Sequence, residues 1–358
     1  MQSLVKATPI NNKRDTTADF IRILAMLMIC ILHVGYQSGT RFLDYNAHYT
    51  ARVISNAWMA ICIIAVNLYA LLSGYLCISR RWNIQRYVEL WITVCFYTLV
   101  LYIPAILSGE RILGIRSTLL LINPCTSVYW YFSAYTGLFI CIPFLNKGLK
   151  SLPKRNFKTL IFLLLLSFSL LGCWEPAQMA QNGYNAIWLI ILYITGGYIK
   201  LHQPSVSSWL LLAISTVGIL VNFTLEFSSG TITGNLLWGY ASVFTTMASL
   251  GVFLLSIRKV NFQTYWFIRF LKWASPTAFG VYLIHCHPYV WKQLKDILTP
   301  LVQQFGNYWW FIPISGILLY AVCSFADWIR IQLFKALKVK YAASFLIKLL
   351  PRSIKELD

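Results

Sequence analysis

The sequence predicts an all-α polytopic membrane protein with about ten transmembrane helices and both termini in the cytoplasm. Of its 358 residues, 58% are hydrophobic and only 11% are charged. The mean hydropathy of +0.63 is far above that of soluble globular domains, in which about a quarter of the residues are charged. Short polar segments also divide the chain into a series of long apolar stretches.

Ten of these apolar stretches are long enough to be transmembrane helices. A helix rises about 1.5 Å per residue and needs about 20 residues to cross roughly 30 Å of hydrocarbon. Pro143 and Pro288 interrupt the fourth and ninth stretches, which membrane helices tolerate when neighbouring groups satisfy the freed carbonyl. The approximate limits are 18–37, 54–78, 87–108, 129–146, 157–174, 184–201, 207–225, 234–257, 275–294 and 309–334.

The basic residues predict the topology. With a cytoplasmic N-terminus, 23 of the 30 Lys and Arg fall in cytoplasmic segments, six fall in the other loops, and Arg22 lies within the first stretch. This bias follows the positive-inside rule, so the net charge of +19 requires no nucleic-acid partner. We expect one domain embedded in the lipid bilayer over residues 1–340. Residues 341–358 form a basic cytoplasmic tail, part of a segment that we expect to lie on anionic lipid.

No sequence motif indicates a metal site or soluble-enzyme chemistry. The nine cysteines are scattered, mostly within apolar stretches, and none forms a CxxC pair, so we interpret them as small buried apolar residues. A Gly-x-Ser-x-Gly nucleophile motif and a phosphate-binding glycine loop are both missing. The candidates for chemistry are therefore the few ionisable residues inside apolar stretches, where a charge is costly.

Arg22 and His33 share the first apolar stretch. Eleven helical residues at 100° each come within about 20° of three full turns, so the two side chains lie on one face, roughly 16 Å apart along the axis. This separation suits the two ends of an elongated ligand, with Asp19 one turn earlier to orient the Arg22 guanidinium. A structural alternative is that Arg22 reaches back to the membrane surface while His33 forms a hydrogen bond between helices.

The residues around this pair resemble the start of acyltransferase family 3. The segment Asp19 to Ala25, followed by an apolar run to His33, is similar to the family's pattern of an arginine and a histidine separated by ten residues. Ser73 and Gly74 resemble the Ser-Gly at the end of the family's second helix. Further similar segments are Tyr129–Tyr131 leading to Ile142–Leu145, Gly183–Ile199 and Thr277–His285, so the resemblance spans residues 14 to about 290.

This resemblance implies acyl transfer to a hydroxyl of a sugar or cell-surface glycan in the bacterial inner membrane, usually with acetyl-CoA as the donor. Arg22 and the basic residues Arg80, Arg81 and Arg86 would then bind the donor phosphates, because guanidinium groups match phosphate geometry. For Arg86, an intrahelical ion pair with Glu89 is the competing explanation. Arg80 and Arg81 have the alternative role of anchoring their loop.

His33 and Arg22 are the predicted catalytic residues, and the chemistry is assigned to His33 with two mechanisms left open. His33 acts either as a general base toward the acceptor hydroxyl or as a nucleophile that forms an acyl-histidine. The candidate donors to the oxyanion are Ser73, Tyr75 and Trp130, in no particular order. His285 is a candidate for the substrate pocket, with packing as the alternative.

Two other functions are compatible with a chain of this class. A transporter or flippase for a lipid-linked sugar would also have about ten spans and a few buried charges, but the halves of the chain lack the paired, broken helices typical of transporters. A non-catalytic protein that retains the family fold is the second alternative. Retention of both Arg22 and His33 argues against it.

Overall fold

A computed structural model describes residues 14–38, 49–107, 109, 123, 129–171, 181–229 and 239–355. Their regular secondary structure is entirely helical, which confirms the all-α prediction. Short π- and 3-10 segments occupy Leu166–Leu170, Gln181–Gly183 and Ser275–Thr277. The α-helices are α1 (Thr16–Gln37), α2 (Tyr49–Cys62), α3 (Ala65–Cys77), α4 (Ile84–Leu107), α5 (Trp130–Ser151), α6 (Lys154–Leu165), α7 (Ala186–His202), α8 (Ser208–Ser229), α9 (Val243–Lys259), α10 (Tyr265–Ala274), α11 (Ala278–His285), α12 (Pro288–Phe305), α13 (Phe311–Ala336), α14 (Val339–Lys348) and α15 (Arg352–Lys355).

Four helical segments of the described residues are long and apolar enough to cross a membrane. They are α1, the α2–α3 pair taken together, Ile84–Pro104 of α4, and α13. Helix α7 and the Ser208–Val221 part of α8 are shorter apolar helices. The total of ten spans and the cytoplasmic position of both termini remain predictions.

Helix α1 lies inside the bundle and is buried over most of its surface. It packs against α13, α3 and α2, and also against α10, α11 and α12. Its N-terminus is capped by Asp15, whose carboxylate accepts hydrogen bonds from the Thr17 and Ala18 N–H groups. By contrast, α13 exposes a long row of apolar side chains, as expected for a lipid-facing helix: Ile314, Ile317, Leu318, Val322, Phe325 and Ile329.

Helices α3 and α7 approach each other closely at two glycines. A Cβ atom on Gly74 would overlap the Tyr193 carbonyl, and one on Gly196 would overlap the Leu71 carbonyl. Small residues at such a crossing allow two backbones to come into contact, which is a common basis of helix association in membranes. The Ser-Gly of the sequence pattern thus holds α3, and with it Ser73, against α7.

We expect Gly74→Ala to lower the free energy of unfolding by about 1–3 kcal/mol, because overpacking forces one backbone away from the other. The matched control is Gly148→Ala. Gly148 is also helical, but its added Cβ meets nothing within 4 Å, so this change should be neutral or stabilising by up to about 1 kcal/mol. Thermal unfolding of the detergent-purified variants measures the difference. Equal midpoints for the two variants would contradict the proposed close contact.

The predicted span over 275–294 is not one continuous helix. Helix α11 ends at His285, and α12 begins at Pro288, with His287 as an N-cap whose ring accepts a hydrogen bond from the Tyr289 N–H. Proline suits the first position of a helix because its missing N–H has no partner there in any case. Residues 265–274, predicted to be loop, form the amphipathic helix α10, which buries Leu271 and Ala274 and exposes aromatic side chains.

The C-terminal segment is also folded onto the bundle. Helix α14 packs against α4, with Ala343 fully buried, while Tyr341 and Phe345 are exposed. The predicted boundary between residues 340 and 341 therefore falls inside a helix. Residues 356–358 of the predicted tail lie outside the described part of the chain.

Candidate active site

A cavity of about 980 Å³ enters the bundle between α1, α3, α4, α5 and α11, and its rim includes the α13–α14 connection. This volume is at the upper end of the range for small-molecule sites. Arg22 and His33 both line it, which confirms that they share one face of α1. Other predicted site residues that line the cavity are Ser73, Arg80, Arg81, Arg86 and Trp130, whereas Tyr75 and His285 are not part of the lining.

One end of the cavity, the basic end, carries Arg22 together with Arg80, Arg81 and Arg86. Asp19 is almost fully buried beside it and accepts hydrogen bonds from Arg22 Nη1 (3.0 Å) and Arg14 Nε (2.6 Å). The predicted orientation of Arg22 by Asp19 is therefore present. The Arg22 side chain remains 34% exposed, so part of the guanidinium is available to a ligand.

The Asp19 carboxylate also links α1 to the segment before α11. Ser275 Oγ donates a hydrogen bond to it over 2.7 Å. On the other side of Arg22, the Tyr69 hydroxyl donates to the Arg22 carbonyl over 2.8 Å. Contacts from α3 and from the segment before α11 thus hold the Arg22 backbone and the Asp19 carboxylate that binds its guanidinium.

Arg86 is not paired with Glu89 in the described part of the chain. Glu89 instead accepts a hydrogen bond from Gln85 Nε2 at 3.3 Å. Both Arg86 and Glu89 line the cavity. The ion pair with Glu89 is therefore not the explanation for Arg86, and phosphate binding stays a prediction.

His33 forms a hydrogen-bonded pair with His285. The two rings meet through His33 Nδ1 and His285 Nε2, which are 2.9 Å apart. His285 is fully buried behind His33, and its Nδ1 lies 2.5 Å from the Val281 carbonyl oxygen. The ring of Trp291 meets the His33 ring edge-on, with 4.9 Å between centroids. His285 therefore supports His33 from behind and has no direct contact with the cavity.

These contacts specify the tautomers of the neutral pair. A carbonyl oxygen can only accept, so His285 Nδ1 carries the proton and donates to Val281. Neutral His285 must then accept at Nε2, and His33 must donate from Nδ1. The lone pair of His33 is left on Nε2, which is the nitrogen that a base or nucleophile needs.

Cys286 lies beside the pair, with its Sγ 3.6 Å from His33 Nδ1. Donor atoms of His33, His285 and Cys286 all lie within 4.8 Å of one another, a cluster that could hold a metal ion. Two nitrogen atoms on a tetrahedral zinc at about 2.0–2.1 Å would, however, be roughly 3.3 Å apart. The observed 2.9 Å fits a shared proton better, and we interpret the contact as a hydrogen bond.

Ser73 and Tyr75 point in different directions from α3. The Ser73 hydroxyl donates to the Tyr69 carbonyl over 2.9 Å at the cavity wall. Tyr75 packs against Phe253, and the Lys200 ammonium lies 4.5 Å from the centre of the Tyr75 ring. The placement of Tyr75 does not support a contact with a ligand in the cavity, because two residues along a helix rotate a side chain by about 200°.

Trp130 lies at the opposite end of the cavity from the arginines. The Asn146 side chain donates to the Cys77 carbonyl, which places the C-terminal part of α5 beside the end of α3 near Arg80. Trp130 begins the same helix, roughly 24 Å from Asn146 along the axis. Its ring stacks on Tyr240 and contacts Tyr184, with centroid separations of 5.8 and 4.7 Å.

Seven tyrosines line the cavity within the described residues, and none of them is a predicted site residue. Tyr69, Tyr131, Tyr135 and Tyr282 all line the cavity, and Tyr69 and Tyr131 are in edge-to-face contact. Tyr131, Tyr135 and Tyr282 lie within segments that resemble acyltransferase family 3, and Tyr69 lies one helical turn before the Ser73–Gly74 pair. The available signal was therefore their position in those segments, because a tyrosine in an apolar helix is otherwise indistinguishable from an interfacial aromatic residue.

One of three comparisons with known proteins finds a match. A family model described as an acyltransferase domain matches residues 16–328, a range that contains both Arg22 and His33 and all of the helices from α1 to α12. No curated protein and no solved structure matches the chain. Since the matched range covers nearly the whole sequence, the chain belongs to acyltransferase family 3.

Proposed function

We propose that this acyltransferase transfers an acetyl group from acetyl-CoA to a hydroxyl of a cell-surface polysaccharide or glycan precursor, in the bacterial inner membrane. The observation that carries the proposal is the cavity that joins the basic end to His33. An anionic donor with a long neutral arm matches this arrangement, because its phosphates and its thioester are far apart. Arg22 and His33, roughly 16 Å apart along α1, are suited to these two parts.

The phosphates of the donor would lie at the basic end. Arg22 and Arg86 present guanidinium groups to the cavity, and each can donate two parallel hydrogen bonds to a phosphate. The arm of the donor would then follow the apolar wall formed by Met26, Ile29 and Leu72. In this orientation the thioester reaches His33.

At His33 the reaction needs a proton acceptor beside the thioester carbon. As the acceptor oxygen forms its bond to the carbonyl carbon, His33 Nε2 takes the hydroxyl proton. Cleavage of the carbon–sulfur bond releases the CoA thiolate, which receives that proton. The same lone pair can instead attack the thioester to form an acyl-histidine, which the hydroxyl then cleaves. Trp130 and Ser73 are the predicted oxyanion donors that line the cavity.

The glycan acceptor would enter from the aromatic end of the cavity. Trp130 and Tyr240 line this end, with Tyr184 packed against both rings. Aromatic rings pack against the apolar C–H faces of sugars, while tyrosine hydroxyls can bind sugar hydroxyls. The positive-inside prediction places this end at the outer face of the membrane, where surface glycans are assembled.

The test is release of free CoA from acetyl-CoA by the detergent-purified protein, with and without a glycan fraction as acceptor. Acyl transfer predicts thioester cleavage that the acceptor accelerates. Mass spectrometry of surface glycans from a deletion strain identifies the acetylated sugar. No cleavage by the purified protein, together with unchanged glycan acetylation, would favour the transporter interpretation.

We expect Arg22→Gln to raise the KM for acetyl-CoA by about 10–150-fold, because a hydrogen bond to a charged group is worth about 1.5–3 kcal/mol. Asp19 keeps hydrogen bonds from Arg14 and Ser275, so the helix packing should survive. The control is Arg155→Gln, at an exposed base outside the cavity lining. An unchanged KM in Arg22→Gln would exclude the phosphate role.

A further inference from the structure

The connection between α13 and α14 supplies a second basic group to the same cavity. Lys335, Lys338 and Lys340 line it, with Tyr341 beside them at the rim. The sequence predicts only that this segment lies on anionic lipid. The structure instead makes it part of the cavity lining.

The backbone that carries these lysines has a defined conformation. Helix α13 ends at Ala336, and Lys338 adopts a left-handed conformation (φ 53°) that redirects the chain into α14. Helix α14 then packs against α4, the helix that begins next to Arg86, and buries Ala343 completely. Because α4 and α14 are packed together, the lysines keep a defined position relative to the arginines.

The charge around this part of the cavity is strongly unbalanced. Within the described residues, the lining contains eight Arg and Lys side chains but a single carboxylate, that of Glu89. Arg22 and Arg330 each have an aspartate partner, Asp19 and Asp327, both outside the lining. An anion bound among this excess of positive charge would lower the repulsion between the basic side chains, so the wall is suited to a ligand with several negative charges.

We propose that Lys338 and Lys340 bind the 3′-phosphate of the CoA donor, while the basic end binds its diphosphate. The assignment rests on the proposed function. CoA carries a diphosphate and a separate phosphate monoester, and the cavity carries two separate basic groups. Guanidinium forks suit the diphosphate, whereas lysine ammonium groups are compact, freely rotating charges that suit a terminal monoester. The exposed Tyr341 ring lies beside the lysines, where it can stack on the adenine.

The experiment compares acetyl-CoA with acetyl-dephospho-CoA, which lacks only the 3′-phosphate. For the wild type, we expect kcat/KM for CoA release to be about 10–100-fold higher with acetyl-CoA. In Lys338→Gln/Lys340→Gln this preference should fall to nearly one, mainly because acetyl-CoA becomes a poorer donor. The control Lys348→Gln, on the same helix but outside the cavity lining, should keep the full preference.

A measurement on the unmodified protein covers the case in which the double variant does not fold. Adenosine 3′,5′-bisphosphate should inhibit the wild type at a concentration about tenfold or more below that needed for AMP, because only the bisphosphate engages both basic groups. Equal inhibition by the two nucleotides would overturn the proposal.

The remaining outcomes separate the possible failures. If the wild type cleaves acetyl-CoA but shows no preference over acetyl-dephospho-CoA, the 3′-phosphate assignment is wrong and the proposed function stands. If neither donor is cleaved or bound, the proposed function itself fails. If kcat/KM for CoA release differs between Lys338→Gln/Lys340→Gln and the wild type only in nanodiscs that contain anionic lipid, the two lysines bind a lipid phosphate. That result would overturn the proposal.

Discussion

His33→Gln is expected to reduce kcat for acetyl transfer by about 10²–10⁴-fold, the usual contribution of a positioned general base. Glutamine is similar in size and can still form a hydrogen bond with His285, so packing around α1 should be preserved. It has no nitrogen lone pair that can take a proton or attack a thioester. The KM for acetyl-CoA should change little, because the phosphate contacts are roughly 16 Å away along the helix.

The measurement is CoA release under saturating donor, with thermal unfolding as the check on folding. His202→Gln is the control, since His202 contacts Phe157 and Tyr198 and lies outside the cavity lining. Undiminished cleavage in His33→Gln would remove His33 from the chemistry. Mass analysis of the wild type incubated without acceptor then separates the two mechanisms, because only an acyl-histidine leaves an acetyl group on the His33 peptide.

His285→Phe is expected to lower kcat by about 10²-fold or more without raising the KM for acetyl-CoA. The Phe ring fills a similar volume but cannot accept the proton of His33 Nδ1. The His33 ring is then free to place its proton on Nε2, which removes the lone pair from the cavity. Removing the partner that orients a metal-binding histidine typically lowers metal affinity or activity by about 10–100-fold. Replacing the aspartate that orients the histidine of a serine protease triad lowers kcat by about 10⁴-fold.

The amide variant distinguishes orientation from packing. In His285→Gln the amide oxygen can accept from His33 Nδ1, so a substantial part of the activity should return. If His285→Gln is as impaired as His285→Phe, His285 does not act by fixing the tautomer of His33.

A metal site at this position has a separate test. Stoichiometric zinc in the purified wild type, lost together with activity in His285→Phe, would show that His33, His285 and Cys286 hold a metal.

The site residues show how far local sequence information extends. The spacing of Arg22 and His33 on one helix predicts their common face, because helical geometry depends only on residues that are neighbours in the chain. The same argument cannot show which neighbour lies behind His33. His285 is 252 residues away, and only the packing of α11 against α1 brings the two rings together.

Tyr75 is a predicted site residue that lies outside the cavity lining, whereas the C-terminal lysines are in the lining without having been predicted as site residues. Tyr75 belongs to a segment that resembles the family, yet the rotation of α3 turns it toward Phe253 and away from the cavity. Lys338 and Lys340 belong to no recognised pattern and are predicted only as part of a basic segment. The packing of α14 on α4 places them in the wall of the cavity that Arg22 and His33 line.

Composition, apolar stretches and helical spacing by themselves determined that this is a helical membrane protein with Arg22 and His33 on one face of α1, and the resemblance of its motifs to acyltransferase family 3 implied the activity. These properties follow from solvent preference and from the repeat of a single helix, both of which are local. Only the tertiary structure decided that the span over 275–294 breaks before Pro288, that His285 supports His33, and that the C-terminal lysines face the arginines' cavity. Such contacts join distant parts of the chain, and they depend on how all the helices pack together.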